Sequence, residues 1–189
     1  MVQTLDASSP LHRGLSADLP VPTAALSVRV ATGVRVLSVR HLTGGAAAVA
    51  ACGLTPLPEP GTFGGTDPWL VWAGPAELLL LTTRSAVAES VLRALAPGRD
   101  PLTCVLDQSA GCLVIQLMGQ GVTDVLLHLL DVNAVPQRAG EATRTRLMDA
   151  GIVILRLEVE RVWLVVDRAH GDYATQWITH ALSAEPGPA

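Results

Sequence analysis

The chain contains no lysine; all 13 of its basic residues are arginine. This absence removes a Schiff-base lysine, a pyridoxal-phosphate lysine and the lysine of a Walker A loop. Aromatic residues are almost as scarce. Phe63 and Tyr173 stand alone in their types, and four tryptophans supply the rest of a 3% aromatic content. Charged residues make up only 16% of the chain, against roughly 25% in an ordinary soluble domain. Hydrophobic residues reach 49% of 189 residues, ample for a core. So little charge leaves apolar surface exposed, and an extensive partner surface is the expected consequence. The plain alternative is a composition biased toward Ala, Val and Leu.

A cluster of positive charge is missing as well. The net charge is -4 and the arginines are scattered, so the basic footprint of a nucleic-acid-binding protein is absent. No apolar run approaches the ~20 residues that span a bilayer. The N-terminus carries Asp6 and lacks the basic start and apolar stretch of a signal peptide; the expected compartment is the cytoplasm. The three cysteines, Cys52, Cys104 and Cys112, are odd in number and form no C-x-x-C, which speaks against a disulfide framework and a zinc ribbon. Cys104 and Cys112 would meet only across a hairpin, and buried free thiols are expected.

What is present is regular. Residues 1–25 read as an extended arm, and residues 184–189 as a disordered tail. Between them, 26–183 reads as one compact unit with two possible lobes, about 26–135 and 136–183. Residues 26–39 read as one or two strands broken at Gly33, and Gly45 to Cys52 as a short helix packed on a sheet. Residues 53–68, rich in Pro and Gly, form a long loop. Gly74-Pro75 then separates two short apolar runs, Trp69 to Ala73 and Leu78 to Leu81, which marks strand, tight connection and strand. Helices are expected near 85–96, 121–130 and 172–183, the second from its repeat of Val122, Val125, Leu126, Leu129 and Leu130. Further strands are expected near 103–107, 111–117, 143–148, 152–157 and 162–167. A strand–strand–helix unit thus recurs about three times. Strands joined by hairpins cannot build an all-parallel sheet, so the class is α+β, antiparallel sheets with packed helices.

Few residues promise chemistry. Gly119-Gln120-Gly121 precedes a helix, but Asp124 takes the place of the third glycine of a dinucleotide fingerprint and would repel a pyrophosphate. Asp107-Gln108-Ser109 ends a strand and reads as a hairpin corner; a nucleophilic serine would need a base, and no histidine is near. His12, His41, His128, His170 and His180 show no metal-ligand spacing. Asp172 reads as a helix cap. Arg144 can grip a carboxylate as a bidentate fork or form an interface ion pair, as can Arg168 after Asp167. Trp69 and Trp72, three apart, face opposite sides of one strand, and tryptophan is enriched at interface hot spots. The candidate interface residues are therefore Trp69, Trp72, Arg144 and Arg168, with no catalytic, cofactor-binding or metal-binding residue assigned.

The landmarks form an ordered series: Ser9-Pro10-Leu11, Leu57-Pro58, Trp72-x-Gly74-Pro75-x-Glu77-Leu78-Leu79, Asp107-x-Ser109, Gly119, Asp131, Thr143-Arg144-Thr145, Val162-Trp163-Leu164-Val165-Val166-Asp167-Arg168, Asp172-Tyr173 and Trp177. In this order and spacing the chain resembles the gamma subunit of heterotetrameric sarcosine oxidase, over roughly residues 9–183. The resemblance implies a fold like the folate-binding aminomethyltransferase, the T-protein of the glycine cleavage system. It implies alpha, beta and delta subunits as partners in a complex that demethylates sarcosine to glycine. FAD, FMN, NAD and tetrahydrofolate would lie in the larger subunits, and none in this chain. The poverty of aromatics departs from the family and leaves the amine substrate open. Two other readings stay beside this one. A stand-alone folate or one-carbon-transfer enzyme would use Arg144, Asp107 and Asp167, and a self-assembling scaffold would use the apolar surface.

Overall fold

A computed structural model describes residues 26–42, 49–50, 53–54 and 56–183. The expected arm 1–25 and tail 184–189 lie outside the described residues, as does most of the expected helix from Gly45 to Cys52, of which Val49 and Ala50 are described as helical. The chain forms two compact units. The first takes the described residues up to Thr32, Gly111–Ala139 and the chain from Arg144 onward; the second takes Gly33–Ala110 and Gly140–Thr143. These units interleave in sequence, whereas the expected lobes, about 26–135 and 136–183, are consecutive. The reason is strand pairing: neighbours in sequence join different sheets.

The first unit is built on a five-stranded sheet in the order β1-β7-β10-β9-β8. Its strands are β1 (Leu26–Val30), β7 (Cys112–Gly119), β8 (Ala142–Leu147), β9 (Ala150–Glu158) and β10 (Arg161–Asp167). β7 runs antiparallel to β1 and β10, and β10 antiparallel to β9. Alternate residues of a strand share a face. Accordingly Ile115 and Leu117, Ile152 and Ile154, and Val162, Leu164 and Val166 point into one core. Helices α2 (Val122–Leu129) and α3 (Gly171–Ser183) close that core with Val125, Leu126, Leu129, Ala174 and Ile178. Each fully buried aliphatic side chain stabilises by about 1.5–3 kcal/mol. The opposite face of the sheet is buried too, at Val114, Gln116, Trp163 and Val165. Burial on both faces explains why β7 and β10 read as continuous apolar runs. Gln116 and Trp163 stand opposite each other in register, and Trp163 Nε1 donates to Gln116 Oε1 at 3.0 Å.

The second unit holds a sheet in the order β3-β4-β5-β2-β6, from β2 (Arg35–His41), β3 (Phe63–Gly64), β4 (Trp69–Gly74), β5 (Glu77–Thr82) and β6 (Thr103–Asp107). Helix α1 (Ser85–Ala94) lies over Leu37, Val39, Leu70, Leu78, Leu80 and Val105 through Ala88 and Val91. The Gly74-Pro75 connection is a tight one, with a register shift between Trp72 and Gly74. In the loop expected over 53–68, β3 adds a short strand to β4. Gly65 there has φ +83°, and a Cβ on it would sit 2.2 Å from the Pro68 carbonyl oxygen, so only glycine fits.

β6 and β7 belong to different sheets. The expected hairpin across Cys104 and Cys112 therefore does not form, although strand, strand and helix still follow in that order. Cys104 is exposed, on the outer face of the edge strand β6, and Cys112 is half-buried. The expectation of buried thiols fails at Cys104 because it lies on the face of β6 opposite the buried Thr103 and Val105; Cys52 lies outside the described residues. Among the described residues no helix is long and apolar enough to cross a membrane.

Candidate functional site

The Asp107-x-Ser109 corner gains a third member that the sequence pattern did not reveal. Arg35, at the start of β2, pairs with Asp107 at the end of β6 because the two strands are antiparallel neighbours. Its guanidinium reaches Asp107 Oδ2 at 2.5 Å and donates through Nε to Ser109 Oγ at 3.2 Å. Ser109 Oγ donates to Asp107 Oδ1 at 2.6 Å and also accepts from the Val36 amide at 3.0 Å. The hydroxyl is thus saturated. Its lone pairs are taken by the Arg35 and Val36 donors, which leaves none for attack on a substrate. Burial works against the charge on Asp107, but hydrogen bonds from the Ser109 side chain and amide and from Arg35 outweigh it and hold the carboxyl below its usual range. The cluster is a structural clasp that fixes the end of β6 to β2.

The sign of that shift sets a pH dependence. A carboxylate with a lowered folded pKa contributes stability above its unfolded value of 3.8, and loses it as pH falls through the folded value. Asp107→Asn should therefore cost about 1 kcal/mol at neutral pH, modest because the pair is partly solvent-screened. The gap to the wild type should shrink in acid melts below about pH 4, as followed by circular dichroism.

A second carboxylate cluster lies in the same unit. Asp67 accepts from the hydroxyls of Thr82 and Thr83 and from the Thr83 amide at 3.3 Å, with Arg84 Nε 3.6 Å away. Thr82 Oγ1 in turn accepts from the Arg84 amide at 3.1 Å. Arg84 is the N-cap of α1 and makes no side-chain cap of its own. Asp67 and Thr82 supply what the cap position lacks: an acceptor and a negative charge at a helix N-terminus.

The residues singled out in the sequence fall into both units. Trp69 and Trp72 are both half-buried in β4, opposite Leu81 and Leu78. Arg144 is exposed on β8. Arg168 is half-buried and donates from its terminal guanidinium nitrogen to the Cys112 carbonyl at 3.2 Å. Asp167 Oδ1 accepts from the Ala169 amide at 2.8 Å and caps the 3-10 turn Arg168–His170. It does for this turn what Asp172 is expected to do for α3, where Asp172 sits in the first turn. Cys112 is pushed up by burial and by Asp167, with Arg168 pulling the other way, so the thiol stays protonated and unreactive. Gly119 has φ +136°, so the glycine of the 119–121 motif answers to backbone geometry. Among the described residues no group of three or more His, Cys, Asp or Glu is placed to hold a metal ion.

Of the polar trio of the one-carbon-enzyme reading, Asp107 accepts hydrogen bonds at both carboxylate oxygens and Asp167 Oδ1 accepts one from the Ala169 amide. Two clefts lined by described residues measure about 240 Å³ and about 160 Å³.

No protein-family model matches the chain, and no curated protein matches it. Solved structures do. A chain of "Heterotetrameric Sarcosine Oxidase from Corynebacterium sp. U-96 in complex with pyrrole 2-carboxylate" superposes with a TM-score of 0.82 at 25% identity, over 95% of this chain and 97% of that one. The glycine cleavage system aminomethyltransferase T from Bartonella henselae superposes with a TM-score of 0.60 at 11% identity, over 89% of this chain and 48% of that one. The chain therefore has the α+β fold of the aminomethyltransferase type, and it resembles, over 95% of its length, one chain of a heterotetrameric sarcosine oxidase.

Proposed function

We propose that this protein is the accessory, gamma-type subunit of a sarcosine oxidase-like multisubunit amine oxidoreductase, and is not itself catalytic. One observation carries the reading: the superposition on a chain of such a heterotetramer covers nearly all of both chains, so the two are close in length as well as fold. The aminomethyltransferase, by contrast, is matched over 48% of its length, so this chain spans about half of that enzyme. The state of the polar residues supports the same reading, since the Arg35–Asp107–Ser109 cluster is closed on itself. The partners in this reading are alpha-, beta- and delta-type subunits. FAD, FMN, NAD and tetrahydrofolate reside in the larger ones, where sarcosine is demethylated to glycine and the one-carbon unit passes to tetrahydrofolate. Trp69, Trp72, Arg144 and Arg168 are the proposed contact residues.

The purified single chain should be colourless and should not oxidise sarcosine. Calorimetric titration with tetrahydrofolate should give no saturable heat. Flavin absorbance in the single chain, or folate affinity lost on Arg144→Ala, would replace this reading with that of a one-carbon enzyme.

A further inference from the structure

Among the described residues β6 is an edge strand, with β2 on one side and no strand on the other. At the two ends of its pairing with β2, the Leu42 amide donates to the Leu102 carbonyl and the Gln108 amide to the Val36 carbonyl. Hydrogen-bonded positions alternate along an antiparallel pair, so the main-chain groups of Leu102, Cys104, Leu106 and Gln108 face β2. Those of Val105, and the Thr103 carbonyl, face the open edge; the Thr103 amide turns back to the Asp100 carbonyl. Side chains divide by face instead. Thr103 and Val105 are buried, whereas Leu102 is 39% and Leu106 47% exposed, and Cys104 between them is exposed too. Natural proteins blunt an open edge with a lysine, a proline or a bulge. The strand Thr-Cys-Val-Leu-Asp has neither lysine nor proline, and its register against β2 runs without a shift.

We infer that this edge pairs with β6 of a second copy of the chain, antiparallel, about a two-fold axis at Cys104. The exposed stripe reads the same in both directions about that residue: Leu102-x-Cys104-x-Leu106. An isologous contact requires such self-complementarity. With the axis at Cys104, Leu102 lies opposite Leu106 of the second copy and Cys104 opposite its own counterpart, and such cross-strand pairs stabilise a sheet. The Val105 amide of each copy donates to the Thr103 carbonyl of the other. Charge agrees with this register: Asp107, already clasped by Arg35, falls opposite Pro101, and no like charges meet. An axis at Val105 would set Leu102 against Gln108 and break the apolar ladder. β6 contains none of Trp69, Trp72, Arg144 and Arg168, so the pairing is independent of the accessory-subunit reading and its test fails separately.

The test is sedimentation of the full chain in reducing buffer, followed by oxidation with diamide. The chain should dimerise with a Kd of about 10–100 μM, in the weak class that a single strand pair implies. Leu106→Lys should weaken the dimer about tenfold or more, with an unchanged circular dichroism melt showing that it folds. Leu127→Lys, at a comparably exposed leucine on α2, should leave the Kd as it is. Opposed residues at a non-hydrogen-bonded position have Cα atoms about 4.5 Å apart, within the range a disulfide spans. Diamide should therefore take two hydrogens from the two Cys104 thiols, becoming its hydrazine, and leave a Cys104–Cys104 bond that peptide mass spectrometry locates. A monomer up to about ten times that Kd, a crosslink confined to Cys52 or Cys112, or undiminished association of folded Leu106→Lys would overturn the pairing. So would slow hydrogen exchange at the Val105 amide that appears only when larger chains are bound, which would give the edge to one of them.

Discussion

Arg156→Ala should destabilise the first unit by about 3–5 kcal/mol, lowering the melting temperature by roughly 10 °C. Arg156 is 1% exposed and heads the fully buried side chains by volume. It lies on β9 and reaches three segments at once. Nε donates to the Pro136 carbonyl at 2.6 Å, one terminal nitrogen donates to the Val159 carbonyl, and the other donates to Thr123 Oγ1 at 3.1 Å on α2. Truncation would leave the buried Pro136 carbonyl and two part-buried acceptors without their donor and open a cavity, and both costs add. Arg156→Met should recover part of the loss by filling the volume, and Arg156→Lys less than its charge would promise, because an ammonium cannot span the fork. Urea melts of the three variants separate these terms: Ala should fall furthest and Met should sit above it. Equal stability of Ala and wild type would mean that the arginine's bonds are not formed in solution.

Asp67→Ala should cost about 2–4 kcal/mol. The carboxylate is mostly buried and takes donors from Thr82, Thr83 and, by charge, Arg84; Thr82 is itself inaccessible. Removal orphans the Thr82 hydroxyl and strips α1 of the negative charge at its N-terminus. Burial opposes the Asp67 charge, but the threonine hydrogen bonds and Arg84 prevail and lower its pKa. Its contribution is therefore present above the unfolded value of 3.8 and disappears as pH falls through the folded one. Thermal melts at pH 7 and in acid check both parts: a wide gap between wild type and variant at pH 7, closing in acid. A gap that stays constant with pH would mean that the effect is packing alone.

These two residues also mark what the sequence could and could not convey. Periodicity is local, and it located β4, β5, β9, β10 and the three helices within a residue or two, because the apolar faces repeat inside each element. Pairing is not local. Nothing in 103–119 distinguishes a hairpin from a chain that leaves one sheet at Asp107 and enters another at Cys112. The interleaving of the units was invisible for that reason. Asp67 serves a helix that starts 18 positions later, so its capping role has no sequence signature, and Arg35 meets Asp107 only through strand pairing. Arg156 sits in an alternating strand where an arginine reads as solvent-facing; only the carbonyls of the 131–136 loop and the 159–160 turn explain its burial. The Gly74-Pro75 connection was legible because turn chemistry is written in adjacent residues, whereas the hairpin expected at Asp107-x-Ser109 does not form because β6 and β7 join different sheets.

The central claim is that this chain works as a non-catalytic member of a larger oxidoreductase. The most direct measurement is to isolate the tagged chain from its native cells and record the composition and 450 nm absorbance of what elutes with it. The account predicts a stoichiometric complex with larger chains, yellow and active on sarcosine or a related N-methyl amine, from which this chain dissociates colourless. Elution of the chain alone, or flavin that follows this chain after separation, would contradict it.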